Sequence, residues 1–267
     1  MFIGSYETFE DQQQPQFRLS CIDNLLYIPH LHRQYELIYV QEGEMTAHID
    51  GAAQFLTAGE CSLATSHKLH SYANDQPGKF YMAIFEPELV PLFSSTLRKN
   101  DLASPFVQPR DPAQRSEFIH LIGRIFEAGT TDPVAISGYM TALLAQISAH
   151  TGLVPQHRNP RPTLLQQVLE YVAQHYNEGS ITLESTARAL GLSHYYLSRF
   201  FNQQTGYSFP VYVMHFRINS ARSLLERTER SIGDIALECG FECTRSFNRA
   251  FQRILGMSPS QFRKQSR

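Results

Sequence analysis

Thr182-Leu-Glu-Ser-Thr-Ala-Arg-Ala-Leu-Gly-Leu-Ser-His-Tyr-Tyr-Leu-Ser-Arg-Phe-Phe-Asn-Gln-Gln-Thr-Gly-Tyr-Ser208 returns about fifty residues later as Ser231-Ile-Gly-Asp-Ile-Ala-Leu-Glu-Cys-Gly-Phe-Glu-Cys-Thr-Arg-Ser-Phe-Asn-Arg-Ala-Phe-Gln-Arg-Ile-Leu-Gly-Met-Ser258. Ala187 matches Ala236 and Gly191 matches Gly240. Past a one-residue insertion, Leu197, Arg199, Phe201, Gly206 and Ser208 match Phe247, Arg249, Phe251, Gly256 and Ser258. Such an internal repeat is read before anything else, because it decides the architecture around it.

Each matched position has a physical task. Thr182 and Ser231 are of the type that caps a helix N-terminus, and Ser185 and Asp234 stand three residues on, where a capping box closes. Ala187 and Ala236 are small enough for a second helix to cross closely. Gly191 and Gly240 permit the left-handed backbone that ends the first helix and opens a tight turn. The second helix is expected to begin near Ser193 in one unit and Thr244 in the other, both good caps. It buries Leu197 and Phe201, or Phe247 and Phe251, on one face. The other face carries Tyr195, Ser198, Arg199 and Asn202 in the first unit, and Thr244, Arg245, Asn248 and Arg249 in the second. These side chains suit base edges and phosphates, and a helix-turn-helix presents that face to the DNA major groove. The alternative is a helical repeat that packs on protein. Between the units, residues 209–227 place Val213, Phe216, Ile218, Ala221, Leu224 and Leu225 at helical spacing. A helix of about 18 residues spans roughly 27 Å, a length suited to holding two recognition helices about one DNA turn (~34 Å) apart.

The rest of the chain reads differently. Residues 17–85 are strand-like: Glu36-Leu-Ile-Tyr-Val40 and Met45-Thr-Ala-His-Ile49 are separated by Glu42-Gly43 and followed by Asp50-Gly51, a pattern of short strands and turns expected of a sandwich or barrel. Residues 112–128 and 133–150 then carry apolar side chains at helical spacing. Asp111 and Asp132 stand as N-caps, with Pro112 and Pro133 at the starts. A short loop makes these helices an antiparallel pair. Residues 152–163 read as a linker, and a further helix begins at Leu164. With 267 residues, two domains are expected.

Charge divides the same way. The chain carries a net −2, but residues 161–267 sum to +5 and residues 1–160 to −7; twelve of the thirteen positive charges in the C-terminal part are Arg. A basic part beside an acidic one fits a nucleic-acid-binding domain joined to a regulatory one. Arg also makes the forked contacts that guanine and phosphate accept. Four scattered cysteines (Cys21, Cys61, Cys239 and Cys243) form neither a disulfide framework nor a zinc quartet. No apolar run is long enough to span a bilayer and no signal peptide is evident, so a cytoplasmic protein without a membrane partner is expected.

The double motif, and above all Ser231-Ile-Gly-Asp-Ile-Ala-Leu-Glu-Cys-Gly-Phe241, Phe247-Asn-Arg-Ala-Phe251 and Gly256-Met-Ser-Pro-Ser-Gln-Phe-Arg263, resembles the DNA-binding domain of the AraC/XylS family of bacterial transcription regulators. The resemblance covers about residues 164–265 and places base-reading positions on Tyr195, Ser198, Arg199, Thr244, Arg245, Asn248 and Arg249. Ser246 departs from it, since the family usually has an aromatic residue there. The resemblance implies an effector-controlled regulator, more often an activator, that is not an enzyme and needs no cofactor. It also implies double-stranded DNA, RNA polymerase and a second copy of the chain as partners, the copies meeting through the helix pair.

In the N-terminal part, His30-Leu-His32 with Glu36 and Gly43, and later His70, resemble the two cupin motifs. There, three His and one Glu hold a metal in a β-barrel. His30, His32, Glu36 and His70 are therefore metal candidates, with a metal-binding cupin sensor or enzyme as the alternative reading. A small-molecule effector, a sugar or related metabolite, is expected in the barrel mouth, with His32, Glu36, Tyr39, His70, Tyr72 and Tyr81 as candidate contacts. Parity puts Tyr39 on the strand face opposite Glu36, so a core role is open for it. The expected fold is thus α+β in two domains. Residues 1–110 form a cupin-like barrel, 111–151 the helix pair, 152–163 a linker and 164–267 an all-α double helix-turn-helix domain.

Overall fold

The computed structural model describes residues 17–129, 131–156 and 162–265. Two compact units divide the chain. Among the described residues, one is built from 17–25 and 31–156. The other is built from 162–265 together with Leu26–His30.

The first unit is a two-sheet structure. Its strands are β1 (Phe17–Ile22), β2 (Leu26–His30), β3 (Tyr35–Glu42), β4 (Glu44–Ile49), β5 (Ala52–Thr57), β6 (Cys61–Ala64), β7 (His70–Ala73) and β8 (Lys79–Phe85). A short helix, α1 (Pro91–Thr96), leads to β9 (Asn100–Leu102) and β10 (Phe106–Val107). One sheet has the order β1-β8-β3-β6-β10 and the other β2-β7-β4-β5. The tight turn read at Glu42-Gly43 joins β3 to β4. β3 is buried on both faces, which accounts for its unbroken apolar run, whereas β4 alternates between buried and exposed positions. The odd-numbered face of β3, Tyr35, Leu37 and Tyr39, joins Leu63 and Phe85 in a core against α2 (Pro112–Ala128) and α3 (Pro133–Thr151). Those helices contribute Phe118, Ile122, Met140 and Leu144 to it. Both are capped as the sequence indicated: Asp111 accepts from the Ala113 amide, and Asp132 accepts from the Val134 and Ala135 amides.

The segment after the helix pair differs from the expectation. Residues 153–155 are not linker but a strand, β11 (Leu153–Pro155), antiparallel to β9. Its backbone groups find partners 51 to 55 residues away in Asn100–Leu102 only because α3 returns the chain to that edge. The remaining linker residues 157–161 lie outside the described residues.

The second unit is helical: α4 (Leu164–His175), α5 (Leu183–Ala189), α6 (His194–Thr205), α7 (Phe209–Arg227), α8 (Ile232–Glu238), α9 (Thr244–Leu255) and α10 (Pro259–Gln265). α7 is the shared spine. Tyr212 meets Phe201 of α6 edge to face at 5.1 Å, and Ile218, Ala221 and Leu225 pack with Phe247, Phe251 and Phe262. Arg217 fastens the turn after α4, its Nε donating to the Tyr176 carbonyl at 2.7 Å and its Nη2 to the Glu178 carbonyl at 2.9 Å. No helix among the described residues is long and apolar enough to cross a membrane.

Candidate functional site

Two surfaces carry chemistry, one in each unit. In the helical unit the first is the pair α6 and α9. Each follows a short capped helix. Thr182 and Ser185 complete a capping box at α5, and Ser231 accepts from the Asp234 amide at α8. The turns that follow need left-handed backbone, with φ of 67° at Gly191 and 80° at Gly240. Ser193 then caps α6 by accepting from the Tyr196 amide at 3.2 Å.

At α9 the cap lies one residue earlier than expected. Cys243 occupies the N-cap position and Thr244 is the first helical residue. Cys243 makes no side-chain cap bond; instead the Ser246 hydroxyl donates to the Cys243 carbonyl at 2.8 Å. Ser246, exposed, thus holds the start of this helix by a hydrogen bond rather than by aromatic packing.

Leu197, Phe201, Phe247 and Phe251 are fully buried, as one face of each helix requires. On the opposite faces, Tyr195, Ser198, Arg199 and Asn202, and Thr244, Arg245, Asn248 and Arg249, are all exposed. Positions 195, 198, 199 and 202 form one stripe along α6. Within it the Arg199 guanidinium lies 5.7 Å from the Tyr195 ring centroid, and its Nη1 donates to the Tyr195 hydroxyl at 3.3 Å. The aromatic ring therefore restrains the arginine before any ligand arrives. Two further exposed residues extend these stripes without having been singled out from sequence. Arg253 follows Arg245 and Arg249 at intervals of four, a signal present in the sequence. Tyr196, half exposed, stacks on Phe200 at 6.0 Å.

The second surface lies in the sheets. Glu36 is completely buried on β3, facing away from α2 and α3. His32 Nε2 stands 3.1 Å from Glu36 Oε2 and His70 Nε2 stands 3.7 Å from the same oxygen. The two imidazoles meet edge to face at 4.9 Å, and Tyr72 lies 5.7 Å beyond His70. Burial alone would raise the Glu36 pKa, but hydrogen bonds and positive charge from His32 and His70 outweigh it and hold the carboxyl well below the usual carboxylate range. His30, the remaining candidate, lies on β2 and clusters with the helical unit.

Tyr39 and Tyr81 do not belong to this group. They pair across β3 and β8, stack at 6.4 Å, and Tyr81 stacks on Phe126 of α2 at 4.3 Å. Residues paired across an antiparallel ladder share a face, so Tyr81 follows Tyr39 to the helix side, away from Glu36. His32, Glu36, His70 and Tyr72 remain as the polar cluster.

Residues 19–144 match a family profile described as an AraC-like ligand binding domain, and residues 186–265 match one described as a helix-turn-helix domain; together these span well over half of the chain. The chain belongs to the AraC family. Among its relatives is the HTH-type transcriptional activator RhaR of Klebsiella pneumoniae, 41% identical over 107 residues, which are 40% of this chain and 38% of that one. The melibiose operon regulatory protein of Escherichia coli K12 is 32% identical over 133 residues, 49% of this chain and 43% of that one. The chain thus spans about two-fifths of the length of these curated relatives. A crystal structure of unsaturated fatty acid bound ToxT from Vibrio cholerae shares the fold, with a TM-score of 0.57 and 12% identity over 94% of this chain and 95% of that one. As an AraC-family chain, the protein carries a DNA-binding helix-turn-helix domain and a separate ligand-binding domain.

Proposed function

We propose that the chain is a sequence-specific transcription activator whose sensor unit binds a small molecule and whose helical unit reads two adjacent major-groove segments. The observation that carries this is the pair of recognition helices. Each buries one aromatic or aliphatic face and leaves exposed a stripe of side chains able to bond to bases and phosphates. Arg199 and Arg249 are the guanine readers, Asn202 and Asn248 suit adenine, and Tyr195, Ser198, Thr244 and Arg245 complete the contacts. The stripes differ between the units, so the site bound by one protomer is asymmetric.

The effector contacts are His32, Glu36, His70 and Tyr72. The melibiose operon regulatory protein supports a regulator of small-molecule metabolism and RhaR supports an activator, while the fatty acid held by ToxT shows that ligand chemistry varies on this fold. The helix pair supplies the dimer contact. One face of α2 and α3 is buried on the sheet, while Ile119 and Val134 stay exposed for a partner, at 46% and 82%. RNA polymerase is the second protein partner.

Footprinting tests the DNA reading. Arg199→Ala and Arg249→Ala are each expected to relax selectivity in one segment of the site by roughly 1–3 kcal/mol. If both variants footprint like the wild type, the base-reading assignment falls.

A further inference from the structure

A cavity of about 420 Å³ opens in the first unit, where the turn before β6 meets the start of α2. That volume lies within the range of small-molecule sites. Its lining is Glu60, Gln108, Pro109, Arg110, Pro112 and Arg115. One wall is stiffened by proline. Gln108 and Asp111 each precede one, which confines them to extended backbone, and Asp111 has φ −77° and ψ 127°. The facing wall is tied to β3: the Gly59 amide donates to the Val40 carbonyl at 2.8 Å, and the Val40 amide donates to the Glu60 carbonyl at 2.9 Å. Glu60 is the one carboxylate in the lining, and both its oxygens are occupied. Oε2 accepts from the Thr57 amide at 2.7 Å and the Thr57 hydroxyl at 3.2 Å, and Oε1 accepts from Gln108 Nε2 at 3.1 Å. Asp111 turns its carboxylate to the Ala113 amide. Two guanidiniums against one committed carboxylate leave the cavity with a surplus of positive charge, and among the described residues neither arginine forms an ion pair. The first turn of α2 adds a partial charge of the same sign. Arg115 is placed as well as charged. Its side chain crosses Gly59, where a Cβ would lie 2.8 Å from Nε and 3.2 Å from Cζ.

We propose that this cavity binds one small organic anion, a carboxylate or a phosphate ester, between Arg110 and Arg115. A guanidinium presents its donors as a planar fork that matches the oxygens of either group, and such charge-assisted bonds are stronger than neutral ones. The two forks come from different elements, one from the strap after β10 and one from α2, so together they fix an orientation as well as a charge. Gln108 Nε2 is held by Glu60, which leaves its Oε1 to accept from a hydroxyl on the same molecule. The cavity is larger than a bare phosphate needs, and the rings of Pro109 and Pro112 offer an organic body a surface to lie on. A cation is disfavoured by the charge surplus, and an uncharged molecule leaves both forks without an acceptor. The site shares no residue with His32, Glu36, His70 and Tyr72, so it is a second ligand site of the sensor unit, beyond the effector reading. Its occupant bridges α2 and the turn tied to β3.

The test uses the full chain in a phosphate-free buffer at fixed ionic strength and contains no DNA. Glycerol phosphate, malate and inorganic phosphate are titrated by calorimetry, with glycerol as the uncharged control. Expected are saturation near one equivalent by glycerol phosphate or malate, weaker binding of inorganic phosphate, and none of glycerol. Tighter binding of the phosphate ester assigns a phosphate ligand, and tighter binding of malate assigns a carboxylate. Arg110→Gln and Arg115→Gln are each expected to weaken the binding by at least about tenfold. Both side chains are exposed, so far-UV circular dichroism stays native. Arg98→Gln, which alters an exposed arginine of the same unit outside the cavity, is expected to leave the affinity unchanged. Hydrogen exchange places the occupant: slower exchange in peptides spanning 57–61 and 108–116 supports the site, whereas protection confined to 32–36 and 70–72 puts the anion in the polar cluster and overturns it. Absence of saturable binding by all three anions, or an affinity unchanged in either arginine variant, overturns it too.

Discussion

Gly191 and Gly240 hold the same place in the two repeats, yet substitution by alanine is expected to damage them unequally. Both have positive φ, 67° and 80°, so each alanine incurs the cost of left-handed backbone, about 1–2 kcal/mol. At Gly191 that is the whole cost, because an added Cβ meets no atom within 4 Å. At Gly240 the added Cβ lies 2.7 Å from the Asn177 carbonyl oxygen and 2.8 Å from that residue's C and Cα. Those are backbone atoms in the turn between α4 and α5, and that turn is fastened by Arg217. It cannot yield as a side-chain tip would, so overpacking adds roughly 1–3 kcal/mol. Gly240→Ala therefore loses about 2–5 kcal/mol and Gly191→Ala about 1–2 kcal/mol. For a unit of about 100 residues, 1 kcal/mol moves the melting temperature by roughly 4–8 °C. Far-UV circular dichroism over a urea series, with peptide-resolved hydrogen exchange over residues 182–208 and 231–258, separates the two variants. Equal losses within about 0.5 kcal/mol, or a larger loss at Gly191, would refute the contact argument.

Two further outcomes follow from single groups. Thr182→Ala removes the acceptor for the Ser185 amide and is expected to cost about 1 kcal/mol, read as a lower urea midpoint, with Thr182→Ser close to neutral. His215 packs on the Tyr207 ring, and burial, aided by the Arg253 charge, pushes its pKa below 6.5. The unfolded chain takes up this proton first, so stability is lost as pH falls below about 6.5. His215→Phe is expected to flatten that slope in urea midpoints measured at about pH 7.5 and 5.5, and an unchanged slope would remove His215 from the account.

The double helix-turn-helix was legible because its signals are local. Caps, turn glycines and aromatic anchors lie within one repeat, and a second copy tests each assignment. The features that sequence misplaced depend on distant partners. Parity along β8 groups Tyr81 with Ala83 and Phe85, but only the register Tyr39↔Tyr81 shows that this face meets Phe126. Leu153-Val-Pro155 has no alternation to mark it, being three residues long, and becomes a strand through pairing with Asn100–Leu102. The polar cluster lies between these cases. His32 and Glu36 share one stretch of sequence, but the approach of His70 from β7 is a matter of sheet topology.

On the proposed reading, the two recognition helices would divide the work of binding DNA, and salt would distinguish their shares. α9 presents Arg245, Arg249 and Arg253 at intervals of four, whereas the exposed stripe of α6 has Arg199 among Tyr195, Ser198 and Asn202. A side chain that neutralises a phosphate releases counterions, and its removal lowers the slope of log affinity against log salt by about 0.9. A tyrosine that stacks or contacts a thymine methyl contributes affinity without releasing ions. Arg253, nearest the C-terminal end of α9, is placed for phosphate rather than base, because base edges are read from the N-terminal part of a recognition helix. Arg253→Ala is thus expected to reduce the salt slope by about one, with the order of preference among operator variants intact. Tyr195→Ala is expected to leave the slope unchanged and to alter that order, both directly and because Arg199 loses the ring and hydroxyl that hold it. Anisotropy titrations of labelled duplexes across a salt series measure both quantities. An unchanged slope in Arg253→Ala, or a slope change in Tyr195→Ala with selectivity preserved, would show that the helices do not divide the work in this way.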